Sequence, residues 1–358
     1  MKTAKIIVCC HKQDVMVRQV QTISQMPNKT RNITVELLRV LFMLCIVTMH
    51  SIIYRKGGAG VLPLYGGDWT SCVRYGLLGL NHIGVSGFVF ISGYYGIKFR
   101  WYKLWNIWAQ ALFYSVVIAI LGMYIKDVPF VKCALQFCMP ISRSEWFVMD
   151  YVVVMLLAPF IEKGIGSMSH FRFLGIILVL SIMLYIGRFL SFDIGTSFLL
   201  MLDIYLIGRY VKHYPLRWSD VYVRTMMIGA LAMLFVLPFG FAMRGMPKLL
   251  RLWLSNYNIC ALLAAGSMVV LADRKPIYAK HSISLGANVL AVFLITESPN
   301  IREWLWWGFA ECTLWLRVTI ILAALFGCML IDQVRQWMFV PLTDKVWRRV
   351  CERIKSVH

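Results

Sequence analysis

Long apolar blocks alternate along the chain with short polar stretches rich in basic and aromatic residues, and this alternation sets the expected elements. A membrane-crossing helix needs about 20 mostly apolar residues. Ten blocks answer to that description, at 33–54, 78–97, 104–125, 146–162, 173–190, 196–211, 223–243, 253–272, 283–297 and 315–332, with the sixth and ninth short. The pattern predicts an all-α, polytopic membrane protein of about ten transmembrane helices. Residues 1–30 then form a cytoplasmic tail, 31–335 the integral membrane domain, and 336–358 a basic cytoplasmic tail lying on the inner leaflet.

The first block is the unusual one, because Glu36, Arg39 and His50 interrupt it. On a helix, Arg39 and His50 fall about 20° apart on one face, separated by roughly 16 Å of rise. Glu36 shares that stripe, one turn below Arg39. Ionisable groups inside a membrane are costly unless they find partners or water, so they mark a functional site by default. The structural alternative makes Glu36 and Arg39 an interfacial ion pair and His50 a hydrogen-bonded core residue. The span alone weighs the two equally.

Composition supports the membrane reading: 59% of the 358 residues are hydrophobic and 15% charged, with a mean hydropathy of +0.69. The formal charge of +20 does not point to nucleic acid, because the basic residues are spread through short loops. With the N-terminus inside, 24 of them lie on the inner side and 12 outside, which predicts cytoplasmic termini in an inner (plasma) membrane protein. Residues 1–30 lack the features of a signal peptide. Their opening, KIIVCCHKQDVM, reads as a short β-strand and resembles the first strand of a capsular-polysaccharide glycosyltransferase family, without the rest of such a domain. Ten cysteines in no CxxC or zinc-like spacing predict neither metal nor disulfide framework. The chain carries no HExxH, GxSxG, Walker-type loop or internal repeat.

Further along, glycines at 79, 84, 87, 93 and 96 predict a second helix packed closely on its neighbours. Lys98, Arg100 and Lys103 follow it among aromatic residues, a pattern that snorkelling and interfacial anchoring also explain. The fourth helix opens with Trp146, Asp150 and Tyr151; a Trp is ordinary at the interface, whereas the carboxylate needs water or a partner. Asp203 in the sixth helix calls for a basic partner on another helix. Asn258 belongs to a polar cluster near the outer surface that suits helix contacts somewhat better than sugar hydroxyls.

Taken together, Glu36-Leu-Leu-Arg39 with ten residues before His50, and Gly84-Val-Ser-Gly-Phe-Val-Phe-Ile-Ser-Gly93-Tyr followed by Lys98 and Arg100, resemble the first two helices of the membrane-bound acyltransferase-3 family of sugar and polysaccharide O-acyltransferases. The Trp146 to Pro159 segment and Tyr205 to Arg209 are similar to further family features, and the likeness extends over 31–335. The chain departs from the family at Phe293-Leu-Ile-Thr296, where a histidine is usual; Glu297, next along, is either its substitute or a solvated loop residue.

The resemblance implies an O-acyltransferase, in the first instance an O-acetyltransferase, using acyl-CoA (acetyl-CoA) as co-substrate with no permanently bound cofactor. His50 would act as general base, with Arg39 and Glu36 beside it in the catalytic set. The donor's phosphates would meet Lys98, Arg100, Lys103 and Arg209. A cell-surface glycan or lipid-linked sugar would meet Trp146, Asp150, Tyr151, Asn258 and Glu297 from the outer side. A non-enzymatic polysaccharide or lipid translocator, and an inactive acyltransferase-like scaffold, remain as alternatives.

Overall fold

The computed structural model describes residues 31–54, 68–126, 146–190, 196–215, 217–256, 258–279, 285–306, 308–309 and 311–356. The strand expected near the N-terminus and most of the Gly-rich loop after the first helix lie outside these residues. The described chain is overwhelmingly helical. Its one strand pairing is a two-residue antiparallel ladder of β1 (Arg31–Asn32) with β2 (Tyr278–Ala279). The ladder fixes the start of α1 (Ile33–Ile53), where Asn32 accepts a hydrogen bond from the Thr34 N–H at 3.0 Å and so caps the helix.

The chain continues through α2 (Trp69–Asn81), α3 (Ile83–Tyr95), α4 (Trp101–Lys126), α5 (Trp146–Ser167), α6 (His170–Phe189) and α7 (Thr196–His213). After these come α8 (Asp220–Met243), α9 (Pro247–Trp253), α10 (Ile259–Arg274), α11 (Leu285–Thr296), α12 (Pro299–Leu305) and α13 (Leu314–Ser356). Six helical stretches are long and apolar enough to cross a membrane: α1, α2 with α3 as one 27-residue run, α4, α6, α8 and α13. α5 and α7 have the length but carry three charged residues each (Asp150, Glu162 and Lys163; Asp203, Arg209 and Lys212). α10 and α11 have only 16 and 12 residues.

Three expected boundaries move. The second helix begins at Trp69 rather than 78, capped by Asp68, whose side chain accepts from the Ser71 N–H at 3.0 Å. The eighth block is split, because Asn258 starts a new helix inside it. The last helix does not stop near 332 but runs 43 residues to Ser356. An apolar scan loses this helix where it turns polar; its far half stays helical against α4, with Tyr102 donating to Asp344 at 2.8 Å and the Trp105 indole to the Thr343 carbonyl at 3.3 Å.

Packing places α1 at the centre, against α3, α11 and α13. Four of the five expected glycines face a neighbouring helix, while Gly96 ends α3 at a positive φ of +72°, which glycine adopts without steric cost. One close crossing is α3 on α7, where Gly93 faces the Tyr205 backbone and Gly208 faces that of Tyr94 and Phe90. Small residues on both sides permit that approach.

Candidate functional site

On α1, residues 39, 43, 46 and 50 form one stripe at helical spacing. Arg39, Met43 and Ile46 line a cavity of about 320 Å³, closed by Phe88 of α3, Tyr151 of α5 and Phe293 of α11. His50 stands one turn beyond Ile46. Three of the four stripe positions thus line the cavity, His50 not being among its lining residues, and Tyr151, an expected acceptor residue, shares it with Arg39.

At one end, Arg39 donates to Glu36 Oε1 at 2.8 Å and leaves 35% of its side chain exposed. The other Glu36 oxygen accepts the Gly286 N–H at 2.7 Å. A side chain at position 286 would collide with Glu36 and press on the Arg39 stem, so glycine lets α11 meet that carboxylate. Glu36 thus positions Arg39 and ties α1 to α11.

At the other end, His50 Nδ1 lies 3.0 Å from Glu297 Oε2, with side chains only 8% and 10% exposed. The two atoms are off the hydrogen-bonding angle, and both are buried without a hydrogen-bond partner. Glu297 Oε1 accepts from the Tyr54 hydroxyl at 3.1 Å and lies 3.5 Å from Arg302. The Arg302 guanidinium covers the Tyr54 ring at 4.6 Å and keeps its Nε buried and unpartnered. A carboxylate beside Nδ1 favours the tautomer protonated there, which leaves Nε2 able to take a proton. Thr296 is fully buried and donates to the Val292 carbonyl of its own helix at 2.8 Å. Glu297 is therefore no solvated loop residue; it is the group that reaches His50.

The remaining expected residues divide. Arg209 donates to Glu162 at 2.6 Å, and its guanidinium lies against Gly96, just ahead of Lys98 and Arg100. Tyr205 pins the same segment by accepting the Ile97 N–H at 3.3 Å. Arg209, Lys98 and Arg100 thus share one end of the molecule with Lys103, the third residue of α4, and Arg209 Nε there is buried without a hydrogen-bond partner. Trp146 packs edge-on against Phe147 at 5.9 Å, and Asp150 is half-buried on the same helix. Asn258 is committed to structure: it accepts from the Cys260 and Ala261 N–H groups and donates to the Trp253 carbonyl. Among the described residues Asp203 pairs with no basic one; the Ser181 hydroxyl bonds it at 2.8 and 3.1 Å.

Tyr54 and Arg302 were not singled out by the sequence, although an arginine five residues after Glu297 is the pattern that could have drawn attention. Nor was the fully buried Asp332. One of its oxygens accepts from Gln110, Tyr114 and Arg335 at 3.1, 2.8 and 2.6 Å, and the other from Gln336 at 2.7 Å. This network joins α4 to α13, and through the Gln336 bond to Asn288 it reaches α11. No family model, no curated protein and no solved structure matches the chain.

Proposed function

We propose that the protein is a membrane O-acyltransferase, acetyl being the simplest group, which moves an acyl unit from cytoplasmic acyl-CoA to a hydroxyl of a cell-surface polysaccharide or its lipid-linked precursor. The observation that carries the reading is the buried His50–Glu297 pair, one helical turn beyond Ile46 on the α1 stripe whose Arg39, Met43 and Ile46 line a cavity. In the reaction, His50 Nε2 takes the proton of the acceptor hydroxyl and the oxygen attacks the thioester carbonyl. The tetrahedral intermediate then expels the CoA thiolate, which receives that proton from the imidazolium. Glu297 holds the ring and offsets its transient charge. Arg302 and Tyr54 stand beside this pair as donors. Arg39 cannot serve as a base, and its planar fork suits the donor's carbonyl or phosphate. Lys98, Arg100, Lys103 and Arg209 suit the CoA phosphates at the inner face, with the N-terminus cytoplasmic.

The test is mass spectrometry of surface glycan, before and after mild alkaline de-esterification, from strains making equal amounts of inserted protein. His50→Gln keeps the size of the side chain but cannot take a proton at neutral pH, so ester content should fall by the 10² to 10⁴-fold expected for loss of a general base. Arg39→Lys should also fail. Glycan retained on the wrong side of the membrane in a deletion strain identifies a translocator instead. An unchanged glycan in that strain identifies an inactive scaffold.

A further inference from the structure

A second cleft lies between α3, α7, α8 and α10 and shares no lining residue with the Arg39 cavity. Its volume is about 340 Å³, and Phe90, Val211, Met226, Leu262 and Val270 make its walls. That is room for about eleven groups the size of a water or methylene. Trp218 and Leu263 at its edge are both exposed, so the slot opens outward.

The rim differs in kind from the walls. Lys212 bonds Asp273 at 2.7 Å, while Arg274 and Lys275 share Asp220 at 2.8 and 3.5 Å. Three cations therefore meet two carboxylates. Asp273 is moreover satisfied without the lysine, because the Tyr94 and Tyr95 hydroxyls donate to it at 2.9 and 3.0 Å. Lys275 does not line the cleft itself but follows the lining residue Arg274 and shares its carboxylate partner, and it keeps 66% of its side chain exposed. Lys212 and Lys275 can thus turn toward an anion without stranding a buried charge.

An apolar slot under a rim of excess positive charge is complementary to an amphiphile with an anionic head. We propose that this cleft binds a bilayer phospholipid of net negative charge, one acyl chain lying in the slot and the phosphate on Lys212 and Lys275. The site is independent of the acyl-transfer reading.

The test uses the full-length protein, purified in a neutral detergent and examined by native mass spectrometry with phosphatidylglycerol or phosphatidylcholine of identical chains. Wild-type protein should retain phosphatidylglycerol preferentially. Lys212→Gln and Lys275→Gln should each weaken retention about fivefold, the change expected of one basic group near an anionic lipid. Lys212→Arg should restore it, and unaltered thermal unfolding of Lys212→Gln shows that the fold is intact. Filling the slot with Val211→Trp should reduce retention of either lipid. Glycerol phosphate, which has the head without the chains, should not compete. Equal retention of the two lipids, indifference to the Lys212 substitutions, displacement by glycerol phosphate, or preferential retention of a long-chain acyl-CoA would each overturn the proposal.

Discussion

Glu297→Gln isolates what the carboxylate does for His50. Glutamine keeps the volume and can still accept from Tyr54, so the perturbation is one of charge. With Nδ1 and Oε2 separated by 3.0 Å, attraction to the imidazolium formed when His50 takes a proton has an upper bound of about 5 kcal/mol at an effective dielectric of about 20. At about 1.4 kcal/mol per decade, that bound lies near the upper end of the 10² to 10⁴-fold effect of a positioned base. Tautomer choice adds to the loss: an amide NH₂ facing Nδ1 moves the ring proton to Nε2, the atom needed as acceptor. Stability should change little, because Arg302 retains 22% exposure and reaches water when its partner is neutral. The assay is glycan ester content per inserted protein, with Glu297→Asp falling between wild type and Glu297→Gln. Wild-type ester content in the glutamine variant, measured where catalysis limits the yield, would show that His50 works without Glu297 and refute the dyad.

Thr296→His, which restores the residue usual in the resembled family, should lower the amount of folded protein rather than raise activity. The site is fully buried, and overpacking costs about 1–3 kcal/mol; detergent-solubilised thermal unfolding measures it. Gly93→Ala should destabilise by a similar amount, about 1–3 kcal/mol, because its methyl meets the Tyr205 backbone. Gly166→Ala, with nothing within 4 Å, should be neutral or slightly stabilising by the same measurement. Asp332→Ala should cost about 3–5 kcal/mol by leaving the buried Arg335 unpaired, read as loss of inserted protein. Partial burial pushes the Asp273 carboxyl up, but hydrogen bonds from Lys212, Tyr94 and Tyr95 outweigh it and hold the group below its ordinary 3.8. Its stabilisation is therefore present above about pH 4 and lost as pH falls through the lowered value. Differential unfolding of wild type and Asp273→Asn between pH 6 and pH 3 should narrow at the acid end.

Membrane character and the α1 stripe were legible because both are local properties, hydropathy and angular spacing. Glu297 was legible only as an alternative, since nothing in one sequence says that residue 297 lies across from residue 50. Asp332 was passed over for a related reason. The apolar block ended at 332, so Arg335 fell beyond the expected helix and an acid and a base three apart on one helix were not read as a pair. Asn258 carried two readings because amides cap helices and bind sugars with the same atoms, and its bonds are those of a helix start. α5 and α7 are long enough and apolar enough to be picked out as blocks, but the partners of their charged residues, such as Glu162 of α5 for Arg209 of α7, lie on other helices and are not read from one sequence.

The unbroken α13 has a mechanical consequence. Its 43 residues extend about 65 Å, roughly twice the hydrocarbon thickness of a bilayer, so it works as a shaft rather than as a span with a loose end. Arg348, Arg349 and Arg353 lie on its last turns, and Pro341 is the one proline along it. Below that point Asp332 and Gln336 gear the shaft to α4 and α11. A load on the basic end would therefore bear, through Gln336 and Asn288, on α11, the helix that Glu297 follows directly.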